Sequence, residues 1–129
     1  MYPGIFDQWW RIIYLPKSLI DGILDEDWDY ITFQQVSSLS GTSNSYFPYI
    51  DSLISYVKTN AINTKVKLAL HMTWAYDNTS THAGFANYNN DQLEMFNAIL
   101  KTTFDVAQSV GIDIIIPSGI AIQKGRNLN

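Results

Sequence analysis

The sequence of 129 residues contains two histidines, His71 and His82, and an imidazole can act as a general base or bind a metal ion. His71 lies inside an apolar run, and a lone histidine there is more typical of packing, because no nearby histidine or carboxylate has the spacing of metal ligands. His82 lies in a polar segment with Asp77 shortly before it, so His82 is our candidate for a catalytic base. The sequence predicts neither a metal site nor a cofactor.

Polar and aromatic residues that follow three apolar runs form a second set of candidates. Their amides and hydroxyls are costly to bury without partners, so each side chain either contacts a ligand or braces a neighbouring loop. Both interpretations stay open. The run "DYITF" is followed by Gln34, Gln35 and Ser37, the run "KVKLALHM" by Thr73, Trp74, Tyr76 and Tyr88, and the run "IDIIIP" by Ser118, Gly119, Gln123 and Arg126.

The three apolar runs are predicted to be β-strands, at residues 29–35, 65–73 and 112–116. Two amphipathic helices are predicted between them. Residues 45–61 carry apolar side chains at helical spacing, and residues 90–110 carry a longer stripe that includes Leu93 and Phe104. The second helix begins with polar residues that can cap it and ends at Gly111.

Strands that alternate with helices in this order predict an α/β fold with a parallel sheet. The carboxyl ends of parallel strands meet at one edge of the sheet, where ligands bind in open α/β folds. We therefore expect the residues that follow the strands to line one cleft. The sequence leaves open whether Gln34 or Gln35 faces the cleft, because adjacent strand residues point in opposite directions.

Composition limits the possible functions. The chain has the size of one domain, with residues 1–24 predicted as a helical lead and residues 25–126 as a βαβαβ core. A net charge of −4 without a Lys/Arg cluster argues against a nucleic-acid partner. No run is long enough to cross a bilayer and no signal-peptide pattern is present, so no membrane partner is predicted. The absence of cysteine leaves the compartment undetermined.

Four blocks of the sequence resemble the middle of a branch of the SGNH/GDSL hydrolase superfamily. They are "DEDWDYITFQQVSSLSG", "SYFPYIDSLISYVK", "HMTWAYDNTSTHAGFANYNNDQLEMFNAI" and "IDIIIPSGIAIQKGR". This resemblance covers residues 25–126 and implies a three-layer α/β/α sandwich of the flavodoxin-like type, with an incomplete sheet. It also implies hydrolysis of carboxylic esters, often acyl groups on carbohydrates, and members of the superfamily are often exported.

Two motifs of that superfamily do not occur in this sequence. Its members carry the nucleophile in a Gly-Asn-Ser or Gly-Asp-Ser turn and the base in an Asp-x-x-His or similar segment. The pairs Ser40-Gly41 and Ser118-Gly119 do not match the nucleophile turn. Because a nucleophile and its base act as a unit, we expect a truncated hydrolase domain with little or no activity of its own.

Oxyanion donors are also implied by the resemblance. They correspond to Gly4 and to the amides or hydroxyl of Gln34, Gln35 and Ser37. The expected ligand is then an acylated carbohydrate or another ester.

A function from another class fits the same residues. Aromatic rings stack on sugars and pack against peptides, and Trp74, Tyr76 and Tyr88 follow the second predicted strand. The alternative function is therefore a noncatalytic module that binds a glycan or a peptide.

The resemblance has a further consequence for assembly. The superfamily places a strand beside the one predicted at residues 29–35, and the segment that would form it is not in this sequence. An apolar edge strand invites pairing. We therefore expect a homo-oligomer, a swapped strand, or cover supplied by residues 1–24.

Overall fold

The computed structural model describes residues 18–128, which form three β-strands, four α-helices and three short 3₁₀ helices. The α-helices and strands in chain order are α1 (Leu19–Leu24), β1 (Tyr30–Phe33), α2 (Tyr49–Asn60), β2 (Lys67–His71), α3 (Gln92–Val110), β3 (Ile114–Ile116) and α4 (Ser118–Arg126). The 3₁₀ helices lie at Ser37–Leu39, Ser43–Ser45 and Ala83–Tyr88. Strands and helices therefore alternate along the described residues in the predicted order.

The strands form one parallel sheet in the order β1-β2-β3. Ile31 of β1 lies beside Leu68 of β2, and Ala69 of β2 lies beside Ile114 of β3. Parallel strands joined by helices confirm the predicted α/β fold. Each strand is shorter than predicted, because the pattern of residue types does not show at which residue the backbone pairing stops.

Helices α2 and α3 pack on the same face of the sheet. Alternate strand residues share a face, and the face that carries Leu70 and Ile115 contacts Ile50 of α2 and Val106 of α3. Leu70 and Val106 are each 1% exposed, so they lie at the centre of this core. Two crossovers that advance in one direction across a sheet put both helices on one side. The three-layer form stays a prediction.

The buried side of α3 differs from the predicted stripe. Leu93 and Phe104 were expected in the core, but they are 58% and 49% exposed. Met95, Ile99 and Thr103 are buried instead. The prediction was wrong because threonine counts as polar in the pattern, while the Thr103 side chain packs inside.

The ends of α3 are those that the sequence predicted. Asp91 accepts a hydrogen bond from the Glu94 N–H at 2.8 Å and caps the first turn. Gly111 ends the helix with φ of 71°, a conformation that favours glycine. Helix α2 begins later than predicted. Gln35 Nε2 donates to the Ser45 carbonyl at 3.0 Å, and this bond holds residues 43–45 in a 3₁₀ turn.

Strand β1 lies at an edge of the sheet as far as residues 18–128 define it. From the predicted helical lead, the structure describes α1, which the Ser18 hydroxyl caps by accepting from the Asp21 N–H at 3.3 Å. Gly4 lies outside the described residues. None of the helices between residues 18 and 128 combines the length and the apolar character of a membrane span.

Candidate functional site

Three side chains at the carboxyl edge of the sheet form a continuous chain of hydrogen bonds. His71 Nδ1 lies 2.6 Å from Gln34 Oε1, and His71 Nε2 lies 2.8 Å from Ser118 Oγ. We refer to Gln34, His71 and Ser118 as the rim cluster. It joins residues that end or follow all three strands, as expected for a shared edge.

The register of the sheet explains why Gln34 reaches His71. Phe33 pairs with Leu70, so the next pair in register is Gln34 with His71. Side chains of such neighbours point to the same side of a parallel sheet. His71 in turn pairs with Ile116, near the end of β3. The imidazole therefore lies between the ends of β1 and β3.

Close packing at Gly119 holds Ser118 beside His71. The Gly119 N–H donates to the Met72 carbonyl at 3.1 Å. A Cβ atom at position 119 would lie 2.1 Å from the Thr73 carbonyl oxygen, which is too close for any side chain. Residue 119 must therefore be glycine for α4 to start against the end of β2.

The hydrogen bonds of the rim cluster define the tautomer of a neutral His71. The Gln34 Oε1 atom can only accept, so Nδ1 carries the hydrogen and Nε2 offers its lone pair to the Ser118 hydroxyl. This is the arrangement of a base that can take a proton from a serine. Gln34 is exposed, and His71 and Ser118 are partly buried, so small molecules can reach the cluster.

Gln35 points to the opposite side of the sheet from Gln34. Its Nε2 donates to Ser45, and its Oε1 accepts from the Val36 N–H at 2.8 Å. Both glutamines border a cavity of about 230 Å³. The cavity is lined by Phe33, Gln34, Gln35, Ser45, Tyr46, Tyr49, Ile50, Leu53 and Leu70. Most of these side chains are apolar or aromatic, so the cavity suits an apolar group.

A second group of hydroxyls, which we call the buried hydroxyl network, lies beneath this edge. Thr73 Oγ1 donates to Ser40 Oγ at 2.8 Å, and Ser40 Oγ donates to the Ser37 carbonyl at 2.8 Å. The Tyr46 hydroxyl donates to the Ser40 carbonyl at 3.2 Å. Burial raises the pKa of Tyr46 to about 12, and nearby Tyr88 adds to this shift.

His82 makes its hydrogen bonds within its own turn and not to the rim cluster. Its Nδ1 accepts from the Gly84 N–H at 3.0 Å, and its ring lies 4.8 Å from the Tyr76 ring. The Asp77 carboxylate accepts hydrogen bonds from both the hydroxyl and the N–H of Thr79. These two bonds lower the pKa of the Asp77 carboxyl. The carboxylate therefore serves the local turn.

The three candidate aromatic residues differ in exposure. The Trp74 side chain is 43% exposed. Tyr76 packs edge-on against Phe85, with ring centroids 5.7 Å apart. Tyr88 is buried, and its hydroxyl accepts from the Gly41 N–H at 3.0 Å. Trp74 is thus the member of this set whose ring is most open to a ligand.

The remaining candidates brace α4. Arg126 donates from its guanidinium to the Ala75 carbonyl at 3.0 Å, and buried Gln123 lies 3.5 Å from the same guanidinium nitrogen. These contacts tie the end of α4 to the loop that follows β2. Between residues 18 and 128, no group of three histidine, cysteine or acidic side chains could hold a metal ion.

The link between His71 and Ser118 is the feature that the sequence did not predict. Both residues were cleft candidates, but no local pattern connects positions 71 and 118. The sequence did place each of the two residues at or just after the end of an apolar run. Parallel strands bring such ends together at one edge of the sheet.

Comparison with known proteins identifies the family. The profile of a domain of unknown function, DUF4886, matches residues 16–129. Among solved structures, the chain is similar to a DUF4886 family protein from Bacteroides uniformis ATCC 8492, with 40% sequence identity and a TM-score of 0.79. The match covers 82% of this chain and 40% of that one, so the chain spans less than half of that protein. A comparison with curated proteins found no match. The chain belongs to the DUF4886 family.

Proposed function

We propose that this chain is the central part of an SGNH/GDSL-type hydrolase domain, of the three-layer flavodoxin-like kind, that binds acylated carbohydrates or similar esters. The rim cluster is the observation that carries the proposal. Open α/β sheets bind ligands beyond the carboxyl ends of their strands, and here an amide, an imidazole and a hydroxyl meet there.

The surroundings of Gln34 support an ester as the ligand. Its Oε1 atom is engaged with His71, while its Nε2 has no hydrogen-bond partner among residues 18–128 and can donate to a carbonyl or a sugar hydroxyl. The cavity of about 230 Å³ beside Gln34 and Gln35 has room for a short acyl chain. Gln34 is the member of the rim cluster that also lines this cavity, so an acyl chain in the cavity would meet the cluster at Gln34.

The nucleophile and the base of the superfamily lie in two motifs. The serine turn and the Asp-x-x-His segment of the superfamily do not occur in these 129 residues. We therefore propose that the chain binds such esters but hydrolyses them weakly or not at all by the superfamily's route.

A binding experiment tests this proposal. An acetylated xylo-oligosaccharide is titrated into the ¹⁵N-labelled protein, and the same sugar after alkaline deacetylation is the matched control. We expect the backbone amide signals of Gln34, His71 and Ser118 to shift when the acetylated sugar is added but not when the deacetylated sugar is added. In Gln34→Leu these shifts should be lost. Absence of binding by the acetylated sugar would contradict the proposal.

A noncatalytic glycan- or peptide-binding module is the second candidate, and the exposure of Trp74 favours it. Stacking on a sugar needs an open aromatic face and no acyl group. Equal binding of both sugars, lost in Trp74→Ala and retained in Gln34→Leu, would support the module over the hydrolase.

We also propose that the free edge of β1 is covered in solution, by a second copy or by residues 1–24. Within the described part of the chain, β1 pairs with β2 alone. Hydrogen exchange of the β1 amides at several protein concentrations tests this. Protection that rises with concentration indicates a second copy, and constant protection indicates the chain's own lead. Fast exchange at every concentration would contradict both.

A further inference from the structure

The rim cluster has the contacts of a nucleophile, a base and an orienting group. The Ser118 hydroxyl lies 2.8 Å from His71 Nε2, and Gln34 Oε1 holds the other ring nitrogen at 2.6 Å. We propose that Ser118 is a nucleophile that attacks activated carboxylic esters, with His71 as its general base and Gln34 as the residue that positions His71. This goes beyond the proposed function, because it requires neither carbohydrate binding nor the serine turn of the superfamily.

The protonation pattern is the one that proton transfer requires. Gln34 fixes the hydrogen of His71 on Nδ1, so the Nε2 lone pair is directed at the Ser118 hydroxyl. An amide orients the imidazole but carries no charge to stabilise the imidazolium that forms. We therefore expect slower acylation than a serine, histidine and aspartate set would give.

The start of α4 supplies favourable electrostatics at Ser118. Ser118 is the first residue of this nine-residue helix. The N–H groups of Ser118 and Ile120 have no partner within residues 18–128, while the Gly119 N–H is taken by the Met72 carbonyl. The positive end of the helix and these free donors stabilise negative charge on an attacking or carbonyl oxygen.

The reaction follows from these contacts. The Ser118 Oγ–H proton passes to His71 Nε2 as Oγ forms a bond to the carbonyl carbon of the ester. The bond from that carbon to the leaving oxygen then breaks, and the departing oxygen either takes the proton from Nε2 or leaves as a phenolate, in which case the imidazolium gives that proton to water before the next step. Attack by water on the acyl group, with His71 again the base, releases the carboxylic acid and restores Ser118.

The test uses p-nitrophenyl acetate with the 129-residue chain. We expect a burst of p-nitrophenolate and a mass increase of one acetyl group. Ser118→Ala should abolish both, and His71→Phe should slow acylation about a hundredfold, the usual contribution of a general base. Ser55→Ala, at an exposed position of α2, is the matched control and should react as the wild type does.

The role of Gln34 needs a measurement that a structural effect would leave unchanged. In Gln34→Leu we expect slower acylation together with a mixed His71 tautomer in the ¹⁵N spectrum of its ring, at unchanged circular dichroism. Gln34→Glu should restore the Nδ1–H tautomer and the rate, because a carboxylate accepts the same hydrogen bond. A wild-type tautomer in Gln34→Leu would contradict the positioning role.

Two outcomes would overturn the inference: no acetylation of the wild type, or equal acetylation of folded Ser118→Ala. Acetylation of Ser118 without binding of the acetylated sugar would support the inference and count against the proposed function. Binding of that sugar without acetylation would do the reverse.

Discussion

Ser40 and Ser118 each precede a glycine at the carboxyl edge of the sheet, yet the structure gives them different surroundings. Ser40 is 1% exposed, and its hydroxyl bonds to Thr73 and to the Ser37 carbonyl within the buried hydroxyl network. Ser118 is partly exposed and bonds to an imidazole. The first hydroxyl is held by neutral groups that cannot take its proton, and the second is held by a base.

This difference shows that the same dipeptide can have a structural or a chemical role. A serine becomes reactive when a base removes its proton and when the carbonyl of a substrate can approach it. Ser118 meets both conditions and Ser40 meets neither. The glycines that follow the two serines are more alike, because neither position has room for a side chain. A Cβ at Gly41 would lie 2.7 Å from the Tyr88 ring, and one at Gly119 would lie 2.1 Å from a backbone oxygen.

The largest effect is expected for Gly119→Ala. The new methyl group would collide with the Thr73 carbonyl, a backbone atom that cannot move aside without shifting β2 or α4. We expect a loss of about 3 kcal/mol or more in the free energy of unfolding, measured with urea. Gly125→Ala is the matched control in the same helix, because nothing lies within 4 Å of its Cβ position. It should stabilise the protein by about 0.5 kcal/mol.

The second-largest effect is expected at alkaline pH, which should lower the free energy of unfolding through Tyr46 in the buried hydroxyl network. The pKa of Tyr46 is raised from 10.0 to about 12 in the folded protein, so folding favours the neutral hydroxyl. The resulting stability is complete below pH 10 and is lost as the pH rises toward 12. The loss should approach about 2 kcal/mol.

Tyr46→Phe should remove this part of the pH dependence. Tyr56→Phe, at an exposed position of α2, is the control and should keep it. Urea unfolding at a series of pH values measures the difference. A wild-type pH dependence in Tyr46→Phe would contradict the assignment.

A smaller effect separates the two serines directly. Ser40→Ala leaves the buried Thr73 hydroxyl without its acceptor and should cost about 1 to 2 kcal/mol in unfolding free energy. Ser118→Ala should cost about 0.5 kcal/mol or less, because water can replace the hydroxyl beside partly exposed His71. Thermal unfolding of both variants checks this order. Equal costs would show that exposure does not distinguish the two sites.

The sequence predicts those parts of the molecule that depend on local patterns. The parallel α/β order, the cap at Asp91 and the end of α3 at Gly111 follow from periodicity and helix-end preferences. The buried face of α3 was misplaced at Leu93 and Phe104, because the pattern cannot show that Thr103 packs in the core. Local sequence patterns therefore predict the positions of helices and strands better than they predict which face of a helix is buried.

The site is predicted only as far as the shared edge of the sheet. The ends of the apolar runs indicate that Gln34, His71 and Ser118 approach each other. Their hydrogen bonds depend on the exact pairing of Phe33 with Leu70 and on the close approach at Gly119. Both are long-range contacts, and a register shift of a single residue would turn the side chains to the other face.

Labelling with a fluorophosphonate tests the central claim most directly, because this reagent phosphonylates serines that a base has activated. The labelled protein is digested and the modified residue is located by tandem mass spectrometry. We predict the label on Ser118, with Ser40 and the exposed serines unmodified. Label spread over the exposed serines, or a protein that remains unlabelled, would contradict an activated serine in the rim cluster.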